Sequence, residues 1–180
     1  MAIAVSITGD AELQRLQQHI ARLSDAGNRR QLLTLIGAEA ETQTHRRIRD
    51  EKTSPDGTPW ENWSDGYAKT RHGNHSLLMG NGELDDSIQF QVRGNKVHVG
   101  SPLVYAAVHQ DGFEGAVNIA AHHRRITQAF GKVLRHPVWQ SVGAHVRHMK
   151  VPQREYLGLS NENRQDLYAL IGDFYGDLLT

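Results

Sequence analysis

The segment from Ile88 to Val99 constrains the fold most. Ile88, Phe90 and Val92 alternate with polar residues, Gly94-Asn95 offers a two-residue turn that tolerates positive φ, and Val97 and Val99 resume the alternation. This predicts an antiparallel hairpin with one apolar face, and a lone hairpin needs another layer to bury that face. Helical patterns on both sides can supply it. Asp10 is placed as N-cap of a helix carrying Leu13, Leu16, Ile20 and Leu23 in a narrow 3-4-3 seam, broken by Asp25-Ala26-Gly27-Asn28. A longer helix is expected from about Arg29 to Lys52, with Leu32, Leu33, Ile36, Ala40 and Ile48 on one side. At the helical rise it would be roughly 36 Å long, with its polar far end projecting from the core. Ser160 is placed as N-cap of a closing helix bearing Leu167, Leu170, Ile171, Phe174 and Leu178. With a first strand at Ile3, Val5 and Ile7, the expectation is an α+β fold. An antiparallel β-sheet of hairpins is packed with a long N-terminal helix and a C-terminal helix, in a single domain over 1–180.

The connecting segments are less regular. Ser54 to Trp60 is a loop by its Pro and Gly content, and the stretch on to Gly82 is expected to be a long, partly mobile connection. Val104 to Gln110 reads as a short apolar helix or turn ending near Gly112. Arg124 to Phe130 with Val138 to Met149 is expected to form a second hairpin around Gly131 to Pro137.

Charge sets this last region apart. Lys plus Arg and Asp plus Glu stand at 20 each, so net charge attracts neither nucleic acid nor membrane. From Ala116 to Lys150, however, there is no acidic residue. Arg124, Arg125, Lys132, Arg135, Arg147 and Lys150 supply six cations, and His122, His123, His136, His145 and His148 five titratable rings. A basic insertion at about 116–150 fits DNA backbone or an acidic protein surface. It also fits a solvated face balanced within the fold by residues such as Glu83, Asp85, Asp86, Asp173 and Asp177.

The sequence offers little for catalysis. It has no cysteine, so disulfides and thiolate metal sites are excluded. His145-x-x-His148 and His72-x-x-His75 have helical ligand spacing but no carboxylate at a recognisable interval, and on a strand His145 and Arg147 share a face while His148 points away. Gly80-Asn81-Gly82 lacks the third glycine or the lysine of a phosphate loop and precedes a strand; no serine sits in a G-x-S-x-G elbow. Asp85 and Asp86 read as a solvated turn entering a strand. Trp60 and Trp63, in a loop after proline, read as pins to the core or to a neighbouring subunit. No stretch approaches the length of a membrane span, and the N-terminus lacks the features of a secretory signal, so the chain is expected to fold in the cytoplasm. The expectation is a protein with no catalytic residue, no metal and no cofactor.

Four segments, in order, resemble the phage virion morphogenesis family, the tail completion proteins of Mu-like phages and prophages. Pro55-Asp56-Gly57-Thr58-Pro59-Trp60 is similar to its D-G-x-x-W element, and Gly82-Glu83-Leu84-Asp85-Asp86-Ser87-Ile88 to its G-x-L-x-x-S-I element. Val99-Gly100-Ser101 with Tyr105-Ala106-Ala107-Val108-His109-Gln110-Asp111-Gly112 resembles its V-G-S and Y-A-x-x-H-Q-x-G run. Val151-Pro152-Gln153-Arg154-Glu155-Tyr156-Leu157-Gly158-Leu159-Ser160 resembles its I-P-x-R-x-F-L-G-L-S element. No correspondence is assigned to the basic segment from Ala116 to Met149, and the first strand and helix are generic.

The resemblance implies a structural virion protein, assembled in the bacterial host cytoplasm. It would form a homo-oligomeric ring of six-fold symmetry at the neck or tail end, where it completes the tail and joins it to the head. Its partners would be connector and tail-tube proteins, with non-specific contact to packaged DNA and none to membrane. Candidate interface residues are Trp60, Trp63, Arg46, Arg49 and Tyr156. Candidate contacts to DNA or an acidic partner are Arg124, Arg125, Lys132, Arg135, Arg147 and Lys150. The alternative is a nucleic-acid-binding accessory protein using the basic segment.

Overall fold

The computed structural model describes residues 10–71, 75–129 and 132–179, so the expected strand at Ile3 to Ile7 lies outside the described residues. Helix α1 spans Asp10–Ser24, and α2, Ala26–Arg46, runs directly into a π-helical turn, Arg47–Glu51. Asp25 alone separates the two helices. Its carboxylate accepts a hydrogen bond from the Asn28 backbone N–H at 2.9 Å, an N-cap that starts α2 three residues before the expected Arg29. Lys52, in the left-handed region at φ 56°, ends the turn.

The hairpin forms in the predicted register. Strands β1, Gln89–Arg93, and β2, Lys96–Gly100, pair from Gln89↔Gly100 to Arg93↔Lys96, with Gly94 at φ 59° in the turn. Helix α2 covers one face and crosses it at Gly37, where a Cβ would stand 2.2 Å from the Phe90 ring. Glu41 accepts the Phe90 backbone N–H at 2.9 Å and ties the layers together. The last helix, α6 (Asn161–Leu179), packs on α2 and α1. Its start is capped reciprocally: Ser160 Oγ accepts from the Asn163 N–H at 3.0 Å, and Asn163 Oδ1 accepts from the Ser160 N–H at 3.2 Å.

The core sits where the sequence pattern expects a projection. Ile48, Trp60, Leu84, Ile88, Ala106 and Tyr156 form it, and the end of α2 brings Gln43, Thr44, Arg47 and Ile48 inside. The polar far end is therefore the most enclosed part of the helix, because side-chain and backbone partners await its polar groups there. The connection to Gly82 is more built than expected. It holds α3, Asp65–Ala68, and its Leu77, Leu78 and Met79 pack on the core. Gly82, at φ 86°, opens the short α4, Glu83–Asp86, so the Gly80-Asn81-Gly82 run precedes a helix. The seam of α1 stays open: Leu13, Leu16, Ile20 and Leu23 are all exposed.

After α5, Ala106–Asp111, and Gly112 at φ 74°, the chain enters a long ribbon. Strand β3, Phe113–Ile119, pairs with β6, His145–Val151, and β4, His122–Ala129, pairs with β5, Lys132–Val142. Ile119↔His145 and His122↔Val142 keep one register, so the two ladders are one antiparallel ribbon interrupted at 120–121 and 143–144. Its long strand, 17 residues from Phe113 to Ala129, would reach up to about 55 Å at the usual strand rise. The expected basic hairpin is thus corrected. It starts at Phe113 rather than Arg124, and its strands resume at Lys132. Pro137 lies inside β5 near the register shift between Ile126 and Gln128, where a residue without N–H is tolerated.

Candidate assembly surface

Arg47 organises the body. Its Nη1 donates to the Tyr156 carbonyl at 3.1 Å and the Gly158 carbonyl at 2.7 Å, and its Nη2 donates to Asn163 Oδ1 at 2.6 Å. Burial pushes the guanidinium below its usual range, and Glu51, 3.7 Å away, opposes that shift. Trp60 Nε1 donates to the Glu155 carbonyl at 3.3 Å. Arg154 donates Nε and Nη2 to the Glu61 carbonyl, at 3.1 and 2.8 Å. Gln110 acts as a clip: its Oε1 accepts the Tyr156 and Leu157 N–H groups at 3.1 and 2.9 Å, and its Nε2 donates to the Leu157 carbonyl at 3.2 Å. Gly158, at φ 137°, lies so close to Pro55 that a Cβ would stand 2.6 Å from the ring. Ser87 and Ser101 share a 2.7 Å hydrogen bond. The four motif segments thus meet one another around the end of α2, and their polar groups hold the fold together.

The ribbon makes the opposite use of its residues. Arg124, Arg125, Lys132, Arg135, Arg147 and Lys150 are all exposed on it. Arg124 donates to Gln140 Oε1 at 2.7 Å, and Lys150 approaches Glu114 at 3.8 Å, both within the ribbon. Arg125 stands opposite Trp139 and Arg124 opposite Gln140, so cations occupy both faces. Trp139 is 68% exposed, with Val133, Val138 and Val146 also open to solvent. His122 and His145 lie beside the two interruptions, each ring 3.0 Å from the carbonyl two residues earlier.

A cleft of about 960 Å³ lies between the ribbon's root and the connection after Trp60; Trp63, Tyr67, Arg71, His109, Met149 and Arg154 are among its lining residues. Trp63 meets Tyr67 edge-on at 5.9 Å, and the Arg71 guanidinium lies 4.3 Å over the Tyr67 ring. Burial lowers the His109 imidazole below its usual range, and Arg154 adds to the effect. Among the described residues no group of three or more His, Cys, Asp or Glu is placed to hold a metal ion. No helix of the described residues is long and apolar enough to cross a membrane.

The expected interface residues divide. Trp60 and Tyr156, 5% and 1% exposed, are core residues, so the chain's own packing uses their side chains and leaves no surface for a partner. Arg46 and Arg49 reach the surface but are engaged: Arg46 Nε lies 2.8 Å from Glu51, and Arg49 Nε 2.7 Å from Asp85. Trp63 stays half-buried at the cleft. Asp85 also departs from the solvated turn. It is buried and accepts from Arg49 while facing His45 Nδ1 at 2.8 Å, because α2 stacks both residues above α4. Sequence reasoning missed Trp139. The available signal was a tryptophan in an acid-free, β-alternating stretch with no apolar run around it to bury it.

Residues 11–174 match the model of the phage virion morphogenesis family. A curated relative from Escherichia phage Mu, described as a putative capsid assembly protein G, is 25% identical over 164 residues, covering 89% of this chain and 88% of that protein. No solved structure matches the chain.

Proposed function

Because the chain belongs to the phage virion morphogenesis family, we propose that it is a structural component of the neck or tail end, forming a closed ring that completes the tail and joins it to the head. The observation that carries this reading is the division between body and ribbon. The motif segments are consumed in building the body, and a long, cationic ribbon with an exposed tryptophan is left for contact with something else. The description of the Mu relative as a capsid assembly protein supports a role in building the particle. Function then comes from interface burial. Each copy presents different surfaces to its two neighbours, and such head-to-tail contacts close into a ring when the rotation between copies divides a full turn. Connector and tail-tube proteins are the expected neighbours above and below the ring.

The test is deletion of the gene from the phage or prophage that carries it, followed by induction and negative-stain microscopy of the lysate. Full heads accumulating apart from tails, or tails of aberrant length, are the expected outcome. Normal infectious particles would reject the reading. A second reading, contact with packaged DNA through the backbone, draws on the six exposed cations of the ribbon. It predicts duplex binding that weakens steeply with salt and does not depend on sequence.

A further inference from the structure

We propose that the ribbon is the element by which one copy of this chain holds the next: it lies across the acidic outer face of α6 in the neighbouring subunit. This rests on the ring reading above and names the contact that closes the ring.

A two-stranded ribbon by itself is marginally stable in water, and this one has two-stranded ladders along its whole described length. It therefore calls for a surface to lie on. The exposed Trp139, Val133, Val138 and Val146 would be idle against phosphate, whereas aromatic anchors ringed by arginine are what protein interfaces bury. Charge then selects the occupant. With six cations and no acid between 116 and 150, the rest of the chain keeps fourteen Lys and Arg against twenty Asp and Glu, so a second copy offers the complementary sign. On that body, one stripe of α6 carries Glu162, Asp166 and Asp173, with Arg46 of α2 beside its first turn, while the exposed Tyr168 stands on another side of the helix. Ribbon and α6 are different surfaces of one chain. Their contact is heterologous, the kind that builds rings rather than closing on itself as a dimer.

The absence of cysteine makes a clean test possible. Full-length copies carrying only Ser141→Cys, on the Trp139 face of the ribbon, and copies carrying only Asp173→Cys are co-expressed in the induced phage, and particles are treated with a short bis-maleimide. An adduct between the two carriers, absent when either is expressed alone, is the expected result. Arg124→Glu with Arg125→Glu should lower ring yield about ten-fold or more, and adding Glu162→Arg and Asp173→Arg in the same chain should restore most of it. Rings that form without the adduct and ignore the reversals would overturn the ribbon contact and leave the ring reading standing. Particles containing the protein only as isolated monomers would overturn both. Salt-steep duplex binding lost in the Arg124 and Arg125 reversal, without any adduct, would assign the ribbon to nucleic acid instead.

Discussion

The body around the end of α2 and the ribbon use the same residue types to opposite ends. Trp60 is 5% exposed and donates to a backbone carbonyl, whereas Trp139 is 68% exposed opposite Arg125. Arg47 is enclosed by two carbonyls and an asparagine, whereas Arg124 and Arg125 stand on a ribbon with solvent on both faces. The difference shows which side chains the fold itself uses and which it leaves in solvent. The four motif segments are folded into one another; the basic segment, which lies within the family match over residues 11–174, is held out.

Substitutions can break or sharpen that contrast. Trp60→Ala should cost the body ~3–5 kcal/mol, measured by urea unfolding, since the cavity lies among residues fixed by the Arg47 network. A loss under about 1 kcal/mol would mean that Trp60 is not the core residue its burial implies. Arg47→Met should cost about 3 kcal/mol, because the Asn163 side chain and the Tyr156 and Gly158 carbonyls lose their donor while the methionine replaces only the volume. Gly37→Ala should cost ~1–3 kcal/mol by driving a methyl group into the Phe90 ring, with unfolding again the readout.

Acidification gives a smaller effect with a definite sign. The folded-state pKa of His109 is depressed, so the unfolded chain binds the proton more readily and stability rises with pH through the interval between the two values. The stabilisation is complete above the ordinary histidine range. It is lost as pH falls through that range toward the depressed value, where the imidazole, whose buried Nδ1 has no hydrogen-bond partner among the described residues, must take up a proton. His109→Gln should flatten this dependence in melts run across that window. The smallest effect on folding is expected for Trp139→Ala, within about 0.5 kcal/mol of the parent. The same change should reduce particle assembly, scored by counting joined heads and tails. Loss of monomer stability comparable with Trp60→Ala would erase the contrast between the two regions.

Much of the body was legible in the sequence because its signals are local. The alternation around Gly94-Asn95 specified the turn and pairing of β1 and β2 to within one residue at their outer ends, Ser160 announced the start of α6, and the apolar spacing marked both long helices. Local patterns could not say which polar residues end up inside. Arg47 lies on a helix end expected to project and Asp85 in an expected solvated turn, and nothing local marks Gln110 as a clip. Yet each bonds to atoms far away in the chain, and only the meeting of those segments creates these partners. The same limit explains the misplaced interface candidates. Trp60 could pin its loop to the core or to a neighbour, and Tyr156 was a candidate through the resemblance; the tertiary fold closed over both.

For the ribbon the position is reversed. Its alternation and its missing acids are in the sequence, but its length depends on pairing Phe113 with Val151, 38 positions apart, and a register over that distance leaves no local trace. Sequence by itself determined the hairpin, the long helices, the family and the charge of the basic segment. Only the tertiary structure decided which aromatic and cationic side chains the fold consumes and which it leaves outside, because burial is a property of distant segments brought together.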